Sequence, residues 1–160
     1  MTTSLRPATV ADAAGIGSCH LACWQETYAG LLSPAFFAGR TPERFTENWA
    51  RLLADPSTST VTVAEVDGEA VGFAQAIAGR GTPPVRDEEL VTLYLRAAHH
   101  GSGLGQALLD AVLGDRSASL WVAEDNPRAR RFYERNGFVA DGERAVLESW
   151  EGIAEIRMVR

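Results

Sequence analysis

The chain has 160 residues, 46% of them hydrophobic and 22% charged, with a formal charge of -6 at neutral pH. That length suits a single domain, 1–160, able to bury roughly two-thirds of its unfolded surface, and the acidic balance argues against non-specific nucleic-acid binding, which needs a basic surface. No apolar run reaches the roughly 18 residues of a membrane span, and the opening MTTSLRPATVADAA has no basic region leading into an apolar stretch, so a cytoplasmic protein without a membrane partner is expected.

Leu5 to Pro7 reads as a short first strand, and Thr9 with Asp12 three residues on starts a helix that runs to about Glu26. Ile16, Cys19, Cys23 and Trp24 share one face of it. Cys19 and Cys23 stand four apart, which is awkward for a mutual disulfide, so reduced core thiols are expected. With His20 they lack a fourth ligand of suitable spacing, and no metal site is expected. A turn at Ala29-Gly30 and Ser33-Pro34 leads to a short helical piece with Phe36 and Phe37, then Thr41-Pro42 caps a helix ending near Ala54, where Asp55-Pro56 stops it.

Thr60 to Val66 and Ala70 to Ile77 flank Asp67-Gly68, a strong hairpin signal, and predict antiparallel central strands. Gly79 to Asp87 reads as a loop before the strand Glu89 to Leu95. The run LVTLYLRAAHHGSGLG then ends in glycines at alternate positions, Gly101, Gly103 and Gly105, and enters the helical pattern GQALLDAVL. Glycines let successive N–H groups at a helix start point at an anion, as a phosphate-binding loop requires. A Walker loop needs Lys then Ser/Thr after its last glycine, but Gln106 and Ala107 follow Gly105. The dinucleotide fingerprint wants a further glycine where Gln106 stands, and no βαβ unit with a downstream acid follows. Taken alone, the glycines are equally a plain turn between strand and helix.

After the apolar run Ser119 to Ala123 comes EDNPRARRFYERNGF, in which Asn126 is an N-cap, Pro127 fits the first helical position, and Asn136-Gly137 stops the helix before Phe138 starts an apolar strand. Tyr133 lies one and a half to two turns into this helix beside Phe132. Ala145 to Trp150, a turn at Glu151-Gly152, and Ile153 to Val159 close the chain as a second hairpin. The order β-α-α-β-β-β-α-β-α-β-β predicts an α/β (α+β) fold, a mixed, mostly antiparallel central sheet with helices on both faces.

These two segments together resemble the GNAT superfamily of acetyl-CoA-dependent N-acetyltransferases, in which a strand leads to R/Q-x-x-G-x-G/A and a helix, and later to N-x-x-A-x-x-F-Y-x-x-x-G-F. The first motif is here His100-Gly101-Ser102-Gly103-Leu104-Gly105, with His100 in place of Arg or Gln; the second runs complete from Asn126 through Phe132-Tyr133 to Gly137-Phe138. The resemblance implies a GNAT-like sheet whose fourth and fifth strands splay to admit the cofactor, and transfer of an acetyl group from acetyl-CoA to an amine. Backbone groups of Gly101, Ser102, Gly103, Leu104, Gly105 and Gln106 would hold the pyrophosphate, with His100 at the position of a side-chain contact near the phosphates. Leu93, Tyr94 and Leu95 would pair with the pantetheine as an added strand, one of their N–H groups polarising the thioester carbonyl. Asn126 would touch the pantetheine as well as cap its helix.

Tyr133 matches the family's general acid, which returns a proton to the leaving thiolate; the plainer alternative is a tyrosine packed beside Phe132. Glu89 stands where several members carry a glutamate base, acting directly or through water, and it needs burial or a water relay to do so. A solvated strand end, shared with Glu88, is the alternative. Trp24, Tyr28, Phe36 and Phe37 lie where the family builds its acceptor pocket, where rings would receive an ammonium by cation–π contact; ordinary core is the other reading. His99 and His100 are surface histidines of the phosphate loop. Because no cysteine falls in the motifs, direct transfer in a ternary complex is implied. All 15 basic residues are arginines, so the chain has no side-chain amine of its own to acetylate. The expected acceptor is a small-molecule primary amine; a protein N-terminus or lysine, and a non-catalytic acyl-CoA sensor, are the alternatives. The family's C-terminal strands often join a partner copy, implying a homodimer.

Overall fold

Local signals account for most of the elements. In a computed structural model describing residues 1–160, the strands are β1 (Thr3–Pro7), β2 (Thr60–Val66), β3 (Glu69–Ala78), β4 (Glu88–Leu95), β5 (Ser119–Ala123), β6 (Val139–Leu147) and β7 (Ile153–Val159). The helices are α1 (Ala13–Tyr28), α2 (Pro34–Ala38), α3 (Pro42–Ala54), α4 (Leu104–Val112) and α5 (Pro127–Arg135). Proline sits in the first turn of α2, α3 and α5, each behind a Ser, Thr or Asn whose side-chain oxygen accepts a backbone N–H of the first turn. Asp67 and Gly68 both adopt positive φ, 50° and 84°, which closes the β2–β3 hairpin tightly.

The sheet order is β1-β2-β3-β4-β5-β7-β6, antiparallel throughout except for β4 beside β5. Helices cover both faces. On one, Ile16, Cys19 and Cys23 of α1 and Trp49 and Leu53 of α3 pack on Val61, Val63 and Phe73. On the other, Leu104, Leu108 and Val112 of α4 and Tyr133 of α5 pack with Leu90, Leu120, Phe138 and Met158.

Two features of β4 prepare the site. Its register with β3 slips between Gln75 and Ala76, so that Val91 bulges out of the ladder. It then pairs with β5 only through Glu89–Ser119 and Leu90–Leu120, and beyond these the two strands part. A wedge opens between the last half of β4 and β5.

The chain departs from its sequence reading at both ends. The helical piece around Phe36 is a separate capped helix, giving three helices before β2 rather than two, and α1 continues to Tyr28. In the last third, β6 occupies Val139–Leu147 and is interrupted between Ala140 and Arg144, while Glu148–Trp150 is a single 3₁₀ turn rather than strand. That turn, followed by Glu151 and Gly152 at positive φ, swings Trp150 onto Trp24 and Tyr28. Burial of the indole outweighs two more rungs of an edge strand. No helix is long and apolar enough to cross a membrane.

Candidate active site

The loop from β4 into α4 has the geometry of an anion cradle. Gly101 and Gly103 take φ of 79° and 88°, and a Cβ built on either meets nothing within 4 Å. The N–H groups of Gly101, Gly103, Gly105 and Gln106 find no acceptor in the chain, whereas Leu104 N–H is satisfied by Ser102 Oγ at 3.3 Å. Four free donors thus sit at the positive end of α4. The loop is braced from α1: Glu26 accepts from Arg96 Nε at 2.9 Å and Ala97 N–H at 2.8 Å. Burial alone would raise the Glu26 carboxyl, but these bonds outweigh it and hold it below the ordinary carboxylate range.

His100 Nε2 lies 2.8 Å from the Leu95 carbonyl oxygen, to which it must donate. Its Nδ1 therefore carries the lone pair and accepts from Arg128 of α5. The arginine missing from the motif's first position is thus matched in space by one 28 residues later.

From this loop a cavity of about 540 Å³ runs into the wedge, bounded by Leu93, Leu95, Asn126, Phe132 and Tyr133. Alternation explains the wall: Arg96 N–H reaches Val71 across the β3 ladder, so the N–H and C=O of Leu93 point away from β3 into the gap. Asn126 Oδ1 caps α5 through Ala129 N–H at 3.1 Å and also lines the cavity. Tyr133 is 8% exposed, and burial raises its phenol, with no hydrogen bond in the chain compensating.

Across β4 lies the opposite face. Glu89, 5% exposed, is gripped by both arms of Arg80, at 3.0 and 2.5 Å. Glu88 turns away to Arg116, at 2.6 Å, on the α4 side. Glu155 of β7 is a half-buried carboxylate of the same neighbourhood, unmarked by any sequence signal; burial pushes it up, Arg80 opposes that, and Glu89 adds to it. The Tyr28 and Tyr94 hydroxyls meet at 3.2 Å. Burial is the main cause raising both phenols.

The aromatic residues expected to form the acceptor pocket divide. Tyr28 and Phe36 are buried in a cluster with Leu32 and Ala123, with Trp24, Phe37 and Trp150 packed against it. Trp24 alone of the expected set lines a second cavity, of about 800 Å³, between α1, α3 and the β3–β4 surface. His20 also lines it; Nδ1 accepts from Trp49 Nε1 at 3.0 Å. The cysteine thiols are buried 3.9 Å apart.

A family model described as acetyltransferase (GNAT) matches residues 24–138, more than half of the chain. An uncharacterized N-acetyltransferase of Archaeoglobus fulgidus is 34% identical over 116 residues, 68% of this chain and 76% of its own. The uncharacterized N-acetyltransferase Rv2669 of Mycobacterium tuberculosis is 39% identical over 102 residues, 60% of this chain. The match spans 62% of that relative's length. Among solved structures, PaiA N-acetyltransferase from Thermoplasma acidophilum in complex with coenzyme A superposes with a TM-score of 0.77 at 20% identity, covering 100% of this chain and 99% of its own. An acetyltransferase from Thermus thermophilus gives 0.62 at 29% identity, covering 100% and 97%.

Proposed function

We propose that this chain, which belongs to the acetyltransferase (GNAT) family, moves the acetyl group of acetyl-CoA onto the primary amine of a small molecule while both are bound. The observation that carries this reading is the row of four free N–H donors at the start of α4, opening into a cavity that leads to the buried Tyr133. Acetyl-CoA supplies the acyl group already activated as a thioester.

The chain's own residues then have distinct tasks. Gly101 to Gln106 bind the pyrophosphate through backbone N–H groups, and Arg128, oriented by His100, adds the positive charge. Leu93 offers its N–H and C=O to the pantetheine as a strand edge. An N–H beyond the Val91 bulge polarises the thioester carbonyl. Tyr133 gives its proton to the departing sulfur; a phenol raised by burial holds that proton until a thiolate needs it. Glu89 takes the proton of the acceptor ammonium through a water, because Arg80 already occupies its oxygens. Glu155, close enough to feel the charges of Arg80 and Glu89, is a second carboxylate beside that base.

Calorimetric titration with acetyl-CoA, against adenosine diphosphate as a phosphate-only control, tests the cofactor reading, and thiol release with a panel of amines tests transfer. Saturable binding tighter than the control, followed by amine-dependent thiol release, is expected. Binding no better than the control overturns the reading; tight binding without turnover on any amine points to a sensor instead.

A further inference from the structure

The second cavity gathers positive charge around one opening. Arg40, Arg44 and Arg51 line it, and none of them makes an ion pair. The only carboxylate on its wall, Asp55, is turned onto Ser57, accepting from N–H at 3.1 Å and from Oγ at 2.5 Å. In a chain of net charge -6, three guanidinium groups against one carboxylate around an opening are a local excess of positive charge.

These arginines are held rather than free, Arg44 by donating to the Gly39 carbonyl at 3.4 Å. Arg40 stacks 3.5 Å from the Phe36 ring centroid and donates to the Phe36 carbonyl, and Arg51 donates to Asn48 Oδ1 at 2.6 Å. Such anchoring lowers the entropy lost when a guanidinium engages an anion. The floor is polar as well. Gln75, 5% exposed, reaches the cavity from β3, while His20 Nε2 and Thr92 Oγ1 are buried there without a hydrogen-bond partner.

Thr92 also fixes the cavity relative to the chemistry. It lies on β4 one residue before Leu93, and the two line opposite cavities, so the strand is a shared partition. We infer that this cavity holds the acceptor and selects an amine that carries an anionic oxygen group, carboxylate or phosphate, at its far end, with the arginines taking the anion and the amine directed along β4 toward the wedge. This rests on the acetyl-transfer reading for the role of the amine, but not for the anion.

Calorimetry on protein saturated with CoA, titrated with δ-aminovalerate, phosphoethanolamine and the dication cadaverine, tests it, and the first two distinguish carboxylate from phosphate. At least one anionic amine is expected to bind about tenfold tighter than cadaverine, and Arg44→Gln and Arg51→Gln to weaken that binding about tenfold each, with CoA affinity and melting temperature unchanged. Cadaverine binding as tightly as both anionic amines, no binding by any of the three, or variants that leave anionic binding intact would each overturn the inference. Thiol release separates the two readings: anionic amines that bind and are never acetylated count against transfer, whereas acetylation of cadaverine alone counts against the anion site.

Discussion

Tyr133 makes no hydrogen bond within the chain, so removing its hydroxyl tests chemistry without disturbing packing. Tyr133→Phe is expected to lower kcat by about 10²-fold with acetyl-CoA affinity and melting temperature unchanged, measured by thiol release and calorimetry; full turnover in the variant would remove the phenol from the reaction. Glu89→Gln is expected to reduce turnover more at neutral pH than at high pH, where the amine arrives already deprotonated, and an identical pH–rate profile would discard Glu89 as the base. His20 makes a prediction about stability instead. Burial pushes its imidazole down to about 3, while an unfolded histidine takes up its proton at about 6.5. The unfolded chain therefore binds more protons between those values, and stability falls as pH falls through that window. Between pH 7 and pH 5 this one group removes about 2 kcal/mol, and His20→Gln, which still accepts from Trp49, should flatten the slope in denaturant titrations. What the sequence could not reveal at this scale were the pairings: Arg80 with Glu89 across a loop, Arg128 with His100 from another helix, and Glu155 at the site at all. Each depends on where distant elements land.

The glycines of the phosphate loop act at the level of an element. Gly103→Ala has space for its Cβ but forces an L-residue to φ of 88°, at a cost of about 1 kcal/mol. The loop is expected to relax by turning its N–H groups from their common direction, raising the Kd for acetyl-CoA about tenfold while lowering the melting temperature only slightly; an unchanged Kd would mean that the donors do not converge on the ligand. Elements with a local cause were legible. The β2 boundaries, the caps of α3 and α5 and the Asp67-Gly68 hairpin follow from residues within a few positions of one another. The bulge at Val91, the two-residue pairing of β4 with β5, and the conversion of Glu148–Trp150 to a 3₁₀ turn do not, because register and the burial of Trp150 are decided by partners far along the chain.

At the scale of the whole molecule, two cavities lie on opposite faces of one strand, and the cysteine thiols are buried away from both. With the two substrates in these cavities as proposed, neither has to leave before the other enters, and no thiol stands ready to carry the acetyl group between them. Initial-velocity measurements varying acetyl-CoA at several fixed amine concentrations are expected to give intersecting reciprocal plots; parallel lines would require a covalent carrier elsewhere in the chain.

The wedge beside β4 also bears on cohesion. Because β4 and β5 share only two residue pairs, the sheet is two half-sheets, β1–β4 and β5–β7, joined by a short seam. A ligand that fills the gap with backbone-like hydrogen bonds becomes, for as long as it stays, the missing length of that seam, so the reactant doubles as structural mortar. The protein would then be mechanically weakest between turnovers and firmest when loaded, and its resistance to unfolding would track the supply of its own substrate.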